Sequence, residues 1–476
     1  LSSFCLLIYD RKLVNVHGLL AGVVKLALGR HNMVMRIVAD LHIHSRYSRA
    51  VSREMTPENL DIWADDKGIA VMGTGDFTHP LWIKELEEKL EPAEPGLFRI
   101  KKEFQKRTIK GTVPETRFML TVEIAGIYSR GGKTRRVHNL IFAPSFAAAR
   151  KINKDLGRVG NLKADGRPIL GLDSEHLIKI VLEADDGSVV VPAHAWTPWF
   201  SVFGSMSGFN SLEECFGDYS KHIFAIETGL SSDPLMNRRV RMLDNIALIS
   251  NSDSHSLERI GREANLFECE LSYDGIIEAI KSGIPHLNLP PQGGEEGVRP
   301  KFLETIEFFP EEGKYHFDGH RLCGVVWEPA ETKKHKGICT GCGAPVTVGV
   351  LSRVEELADR APAEAKKIMV PYKNLVTLDT IIGEALDVGP KSKSVKKQYD
   401  KLIREFGSEL RVLTEAQIPK IAATASAEVA EGVARMREGK LNIRPGYDGE
   451  YGQVRIFGAG EREKINPPAG GQNSLF

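Results

Sequence analysis

Net charge is the first thing this chain lacks: 63 basic side chains are balanced by 63 acidic ones. A globally basic footprint is therefore excluded, and any nucleic-acid surface must be a local patch offset by acidic residues elsewhere. Long apolar runs are missing too. The one candidate, 18–29, contains Lys25 and is about half the length of a membrane span, so no membrane partner is expected. No small-x-small cleavage site follows it, and Met35 stands directly before the first strand pattern. Residues 1–34 therefore read as an upstream extension without a catalytic role, which Leu1 fits. A disulfide framework is also absent: Cys5, Cys215 and Cys269 are scattered, whereas Cys323, Cys339 and Cys342 cluster. That pattern argues for a reducing, cytoplasmic setting and a metal cluster. What remains, 476 residues at 42% apolar and 26% charged, is ordinary globular material for two or three domains.

The chain is organised around Val38-Ala39-Asp40-Leu41-His42-Ile43-His44. With a period of two, Ile37, Ala39, Leu41 and Ile43 share one face, and Val38, Asp40, His42 and His44 the other. Two imidazoles two residues apart at a strand end can reach one divalent cation. From residue 36 onward, apolar runs alternate with helical patterns, the signature of β/α repeats. Candidate strands are 36–41, 69–74, 118–124, 137–142, 188–193, 223–228 and 247–251, which suggests a closed or nearly closed α/β barrel. Helices are expected from Pro57, after the cap Thr56, to Gly68, from near Asp173, and from Ser272 to Gly283. Chemistry in such folds sits at the strands' C-terminal ends. There the chain places Asp76 and His79, Glu123, His138, His194, and Asp253 with His255. One lone histidine is usually a core or surface residue, but six histidines, His42 and His44 included, with two aspartates and a glutamate near strand ends are hard to place structurally.

The Asp-Leu-His-Ile-His start, Glu123, His138, His194 and the Asp253-x-His255 finish resemble the polymerase and histidinol phosphatase (PHP) superfamily. That resemblance implies a distorted (βα)7 barrel that binds two or three metals and cleaves phosphoesters. Carried over by position, His42, His44, Glu123 and Asp253 hold one metal, Glu123 bridges to a second held with His138 and His194, and His255 helps hold a third. The departure is Gly75-Asp76-Phe77 where the family has Thr-Asp-His, which leaves Asp76 or His79 as substitutes at the third metal. Three longer stretches, 73–80, 192–200 and 227–234, together with the cysteine cluster and Arg444-Pro445-Gly446-Tyr447-Asp448-Gly449, are similar to the endonuclease Q family over residues 35–457. This implies a DNA repair endonuclease that cuts duplex DNA on the 5′ side of deaminated bases (uracil, hypoxanthine, xanthine) and abasic sites.

The ligands carry the mechanism by themselves. Adjacent cations lower the pKa of a bound water, here held by Glu123, Asp253 and His255, and clamp phosphate oxygens without a nucleophilic side chain. Mixed nitrogen and oxygen ligands suit Zn²⁺, Mn²⁺ or Fe²⁺ better than Mg²⁺ alone, although a weak third site accepts Mg²⁺. Choosing an altered base requires extruding it into a pocket. Trp196, Trp199, Phe200 and Phe203, just after His194, either stack on such a base or form the barrel-cap core. Ser231 and Ser232, with Asp233, either contact phosphate or base, or cap the helix starting at Pro234.

His320-x2-Cys323 and Cys339-x2-Cys342 have zinc-ribbon spacing, with Gly324 and Gly343 for the knuckle turns. Three thiolates and an imidazole make a closed, structural zinc site, with His316 and His335 as alternatives for the fourth ligand. Helices are expected at 378–386, 394–406 and 415–438, the last with a break. Lys393, Lys396 and Lys397, with Lys391, Lys401 and Arg404, form either a track for a duplex backbone or a solvated helix face. The glycine-, proline- and charge-rich tail 458–471 ends in Gln472-Asn473-Ser474-Leu475-Phe476, which resembles the peptide by which bacterial repair proteins dock on the sliding clamp. Gln472, Ser474, Leu475 and Phe476 are its recognition residues.

The expected organisation is thus an extension (1–34), a PHP catalytic barrel (35–300), a zinc ribbon (301–357), a helical DNA-contacting region (358–457) and a flexible tail (458–476). The competing functions are a PHP-type phosphomonoesterase acting on small molecules and a non-catalytic DNA-binding repair accessory protein.

Overall fold

The computed structural model describes residues 34–285, 299–462 and 465. The expected extension up to residue 33 and the clamp-like peptide 472–476 lie outside the described residues. All seven expected barrel strands form: β1 (Val34–Asp40), β2 (Val71–Gly73), β3 (Arg117–Arg130), β4 (Lys133–Ala143), β5 (Val189–Pro192), β6 (Ala225–Glu227) and β7 (Ala247–Ile249). The β1–β2 and β2–β3 pairs are parallel, β4 runs antiparallel to both β3 and β5, and β6 pairs in parallel with β7. Contacts outside the ladders carry the wall round. The Ala195 amide donates to Glu227 O (2.9 Å), joining β5 to β6. The Leu41 amide donates to Asn251 Oδ1 (2.8 Å), and the His44 amide to Ser254 O (2.9 Å), joining β7 to β1.

The period of two is buried on both sides. Ile37, Ala39, Leu41, Val71, Met119, Leu140 and Ile249 pack in one core. Leu120, Val122, Val190, Ile226 and Leu248 pack in the other, against Leu60, Ile152 and Leu177 of surrounding helices. Such two-sided burial marks strands covered by helices. Helices Phe146–Val159, Ser174–Ala184 and Tyr273–Ser282 are capped by Ser145, Asp173 and Ser272, whose side chains accept amide bonds. Thr56 precedes helix Pro57–Lys67 but makes no side-chain cap bond; Pro57 at the first turn and Gly68 (φ 93°) at the end define that helix.

The sheet does not stop at residue 300. β8 (Ala264–Glu270) lies antiparallel to β1, β9 (Lys301–Glu307) antiparallel to β8, and β10 (Tyr372–Asn374) parallel to β9. Between β9 and β10 runs a small hairpin, Asp318–His320 with Val325–Trp327. The helix Val350–Leu357 follows it and docks through Arg353. That guanidinium donates to Phe203 O (3.0 Å), Phe209 O (3.0 Å) and Asn210 Oδ1 (2.7 Å).

The C-terminal helices are Leu378–Leu386, Lys393–Phe406, Glu409–Thr414, Ile418–Thr424 and Ala427–Arg437. The break expected within 415–438 falls before Ser426, which caps the last of them. Their apolar residues join the barrel's helix-facing core, and a buried ion pair, Lys67 Nζ to Glu409 (2.6 Å), fixes the contact. No helix among the described residues is long and apolar enough to cross a membrane.

Candidate metal centre

Glu123 in β3 is the hub. Its Oε1 lies 2.5 Å from His138 Nδ1 and 3.0 Å from His194 Nε2. Its Oε2 lies 3.1 Å from His44 Nε2, 3.6 Å from His42 Nε2 and 3.0 Å from Arg167 Nη1. Asp253 Oδ1 closes the other side, 3.1 Å from His44 Nε2 and 3.5 Å from His42 Nε2. Two groups with metal-ligand geometry result, His42–His44–Glu123–Asp253 and Glu123–His138–His194, which share the one carboxylate. They fit divalent cations. His42 Nε2 is buried without a hydrogen-bond partner yet aims at two carboxylates, as a lone pair meant for a cation would.

The backbone is bent to make this possible. Asp76, His194, Phe200 and Asp253 all have positive φ, and such strained positions concentrate at functional sites. Beside them Gly229 (φ 62°) lies so close that a Cβ would sit 2.5 Å from His194 Cβ. Electrostatics favour a cation. For Glu123, burial is the largest influence and acts upward, but His138 and Arg167 outweigh it and hold the carboxylate well below its usual range. Burial pushes His138 down to about 4, which keeps it neutral and able to ligate. For His42 and His44, burial acts downward, but Glu227 and Asp253 around the first and Asp253 and Asp76 around the second hold both well above the usual imidazole range. The carboxylates thus favour positive charge at both imidazoles, a role that a divalent cation can take.

Two residues in this centre carry no sequence signal of their role. Glu227, at the end of β6, accepts from His42 Nδ1 (3.0 Å), the His194 amide (2.8 Å) and Asn251 Nδ2 (3.0 Å). It thereby fixes a ligand of each group. Such a carboxylate behind a histidine sets its tautomer and aim, so Glu227→Gln is expected to weaken metal binding about 10- to 100-fold at unchanged melting temperature, read by metal titration. Arg167, the other, comes from the loop before the short strand Ile169–Leu170.

Comparison with known proteins follows the same geometry. The MJ0043 C-terminal domain family matches residues 377–440. The MJ0043 protein of Methanocaldococcus jannaschii is 33% identical over 300 residues, 60% of this chain, and the chain spans about a third (35%) of that protein's length. The YqxK protein of Bacillus subtilis (strain 168) is 30% identical over 436 residues, 88% of this chain and 99% of that one. The crystal structure of the lesion-specific endonuclease PfuEndoQ from Pyrococcus furiosus superposes with a TM-score of 0.75 at 32% identity, covering 93% of this chain and all (100%) of that one. A complex of endonuclease Q with a 27-mer duplex bearing an abasic lesion at its active site gives 0.74 at 34% identity, covering 91% and 98%. The chain belongs to the endonuclease Q family. Its distorted seven-stranded arrangement is the PHP barrel of that family.

Within this endonuclease Q barrel, Asp76 and His79 stand outside both metal groups. Asp76 accepts from His44 Nδ1 (3.1 Å), the Ser45 amide (2.6 Å) and Ser48 Oγ (2.9 Å), so its oxygens are spent orienting His44. His79 stacks on Tyr47 at 4.5 Å, beside the helix Pro80–Lys89. His255 also lies outside the two groups; its ring meets that of His44 at 4.7 Å, and its Nδ1 is 3.0 Å from the Asp253 carbonyl.

The aromatic segment divides. Trp196 and Phe203 are core: they pack together at 4.9 Å, and Trp196 Nε1 donates to Asn237 Oδ1 (2.7 Å). They cannot receive a base. Half-buried Phe200 lies against His138 (4.7 Å), and Trp199 meets Tyr315 edge to face (5.4 Å). Ser232 is buried, donating to Thr228 O and accepting from Asn237, while Asp233 caps helix Pro234–Arg238. The capping alternative holds for this turn, in which Ser231 and Asp233 keep partial exposure and Ser232 is buried. Lys393, Lys396, Lys397, Lys401 and Arg404 line one open groove on helix Lys393–Phe406, where Asp400 pairs with Lys396 (3.0 Å).

A third group joins His320, Cys323, Cys339 and Cys342, with His320 Nδ1 3.5 Å from Cys342 Sγ. His316 and His335 are elsewhere, stacked on Phe317 and Trp327. Gly324 (φ 63°) and Gly343 (φ 75°) take the left-handed turns expected of the knuckles.

Proposed function

We propose that this protein is a metal-dependent DNA repair endonuclease that hydrolyses the phosphodiester on the 5′ side of an abasic site or a deaminated base such as uracil, hypoxanthine or xanthine. The observation that carries the reading is a pair of cation sites sharing Glu123, on a chain that matches, over nine-tenths of its length, an endonuclease holding an abasic duplex at its active site. His42, His44, Glu123, Asp253, His138 and His194 would hold divalent cations, with Zn²⁺, Mn²⁺, Fe²⁺ and Mg²⁺ all compatible with the donors. Such ions supply charge stabilisation at the phosphate and acidity for an attacking water.

The chain's own residues do the rest. Glu227 and Asp76 lock His42 and His44 in place. Phe200, half-buried beside His138, offers a face for a displaced base, and Trp199 lies next to it in sequence. The lysine groove on helix Lys393–Phe406 suits a duplex backbone. The Cys3His group fits a structural zinc, since its four donors leave no ligand position open. The 472–476 peptide adds sliding-clamp docking as a sequence-based part of the proposal.

Labelled duplexes carrying uracil, hypoxanthine, an abasic site or no lesion, incubated with Mn²⁺, Mg²⁺ or chelator, test it. A single metal-dependent cut 5′ to the lesion is expected. Phosphate release from small monoesters without duplex cutting would move the protein to the phosphomonoesterase class; duplex binding with neither activity would make it an accessory factor.

A further inference from the structure

Among the described residues, Arg167 is the one permanent cation in direct contact with the hub carboxylate, and its placement is unusually constrained. The loop that carries it is wedged between the segments bearing the ligands. The Gly166 amide donates to Tyr47 O (3.0 Å) and the Ala125 amide to Pro168 O (3.1 Å). Asp165 Oδ1 accepts the Arg49 and Arg167 amides (3.2 Å each). Gly166 itself is pressed so tightly that a Cβ would lie 2.3 Å from Asp76 Oδ2 and 2.4 Å from Ser48 Oγ. This packing fixes where the guanidinium emerges, two residues before the strand Ile169–Leu170 and with Nη1 3.0 Å from Glu123 Oε2.

The contact is costly for metal binding, because a guanidinium on Glu123 Oε2 competes with the cations that this oxygen would hold. Structural need does not explain it: among the described residues, the only side-chain partner of Arg167 is Glu123 (3.0 Å), reached through Nη1. Asp253 and Asp165 add to its charge surroundings, but the guanidinium makes no further hydrogen bond among the described residues, and the side chain is 29% exposed where those of Glu123, His42 and His44 are at most 1%. A planar fork of donors, fixed at the rim of a cation site and open to solvent, matches a phosphodiester's non-bridging oxygens. We infer that Arg167 is a catalytic residue that grips the scissile phosphate, supplying fixed positive charge where negative charge builds as the P–O bond is attacked. This rests on the nuclease reading above and goes beyond it in naming the protein group that receives the phosphate.

Arg167→Gln and Arg167→Lys, each loaded with saturating Mn²⁺, test it against wild type on an abasic duplex. Removing one preorganised donor to developing charge lowers turnover roughly 100- to 1,000-fold. Arg167→Gln is expected to fall by that factor, with Arg167→Lys partly restored and melting temperatures unchanged. A second readout needs neither DNA nor turnover: affinity of the Mn²⁺-loaded proteins for inorganic phosphate by calorimetry, expected to drop at least about tenfold in Arg167→Gln. If Arg167 serves only as a counter-ion for Glu123, Arg167→Gln will bind Mn²⁺ more tightly and keep wild-type turnover and phosphate affinity, which overturns the proposal. Failure of wild type to cut any duplex would reject the nuclease reading by itself, while the phosphate affinities would still decide the role of Arg167.

Discussion

Glu123→Gln is expected to lower lesion cleavage by at least about 1,000-fold, the scale of several kcal/mol of lost charge stabilisation, and to deplete both barrel metal groups at once. The reason is its position: one oxygen faces His138 and His194, the other His42 and His44. Asp253→Asn touches only the first group and is expected to leave the His138–His194 ion in place. Metal counting by mass spectrometry beside single-turnover cleavage separates the two variants. The change is isosteric and leaves the Glu123–Leu140 register of β3 and β4 intact, so circular dichroism should match wild type. Full metal content with full turnover in Glu123→Gln would refute a shared carboxylate.

Cys339→Ser is expected to remove one zinc per chain and to unfold the hairpin segment locally. The hairpin strands are three residues each, too short to persist alone. Of the four donors, Cys339 is the buried one, and Leu322 beside them is 85% exposed, so apolar burial offers no substitute. Structural zinc supplies roughly 10 kcal/mol of folding free energy in small domains. Limited proteolysis should then cut between residues 315 and 349 in the variant and not in wild type. The barrel metals should stay, since their ligands lie in other elements. Effects on cleavage should be secondary, transmitted through Arg353 to the carbonyls of Phe203 and Phe209 beside the aromatic segment. Unchanged zinc content would show that the cluster is not a zinc site.

The seven barrel strands were legible because each is a short apolar run with polar residues at its end, and burial plus chemistry both select that pattern. His42, His44, Glu123, His138, His194 and Asp253 stood out for the same reason. What was not legible depends on partners remote in sequence. Glu227 looks like any strand-end glutamate until His42 and Asn251 are seen on either side of it. Arg167 sits in a loop with no periodicity, and its meaning comes from the packing of Gly166. Trp196 and Phe203 share composition with Trp199 and Phe200, and only three-dimensional contact separates core from surface. The ladder of β8, β9 and β10 crosses residue 300, where composition alone suggests a boundary.

The link between β7 and β1 has a kinetic meaning. Leu41 and Asn251 are 210 positions apart, and His44 and Asp253 are 209 apart. Contacts of such long range form late, because chain entropy must be spent before they return anything. A nascent chain therefore completes its cation sites only after nearly the whole barrel has emerged and closed. Cations that bind there engage the closed form alone and so act as a latch on the seam, opposing its opening by mass action.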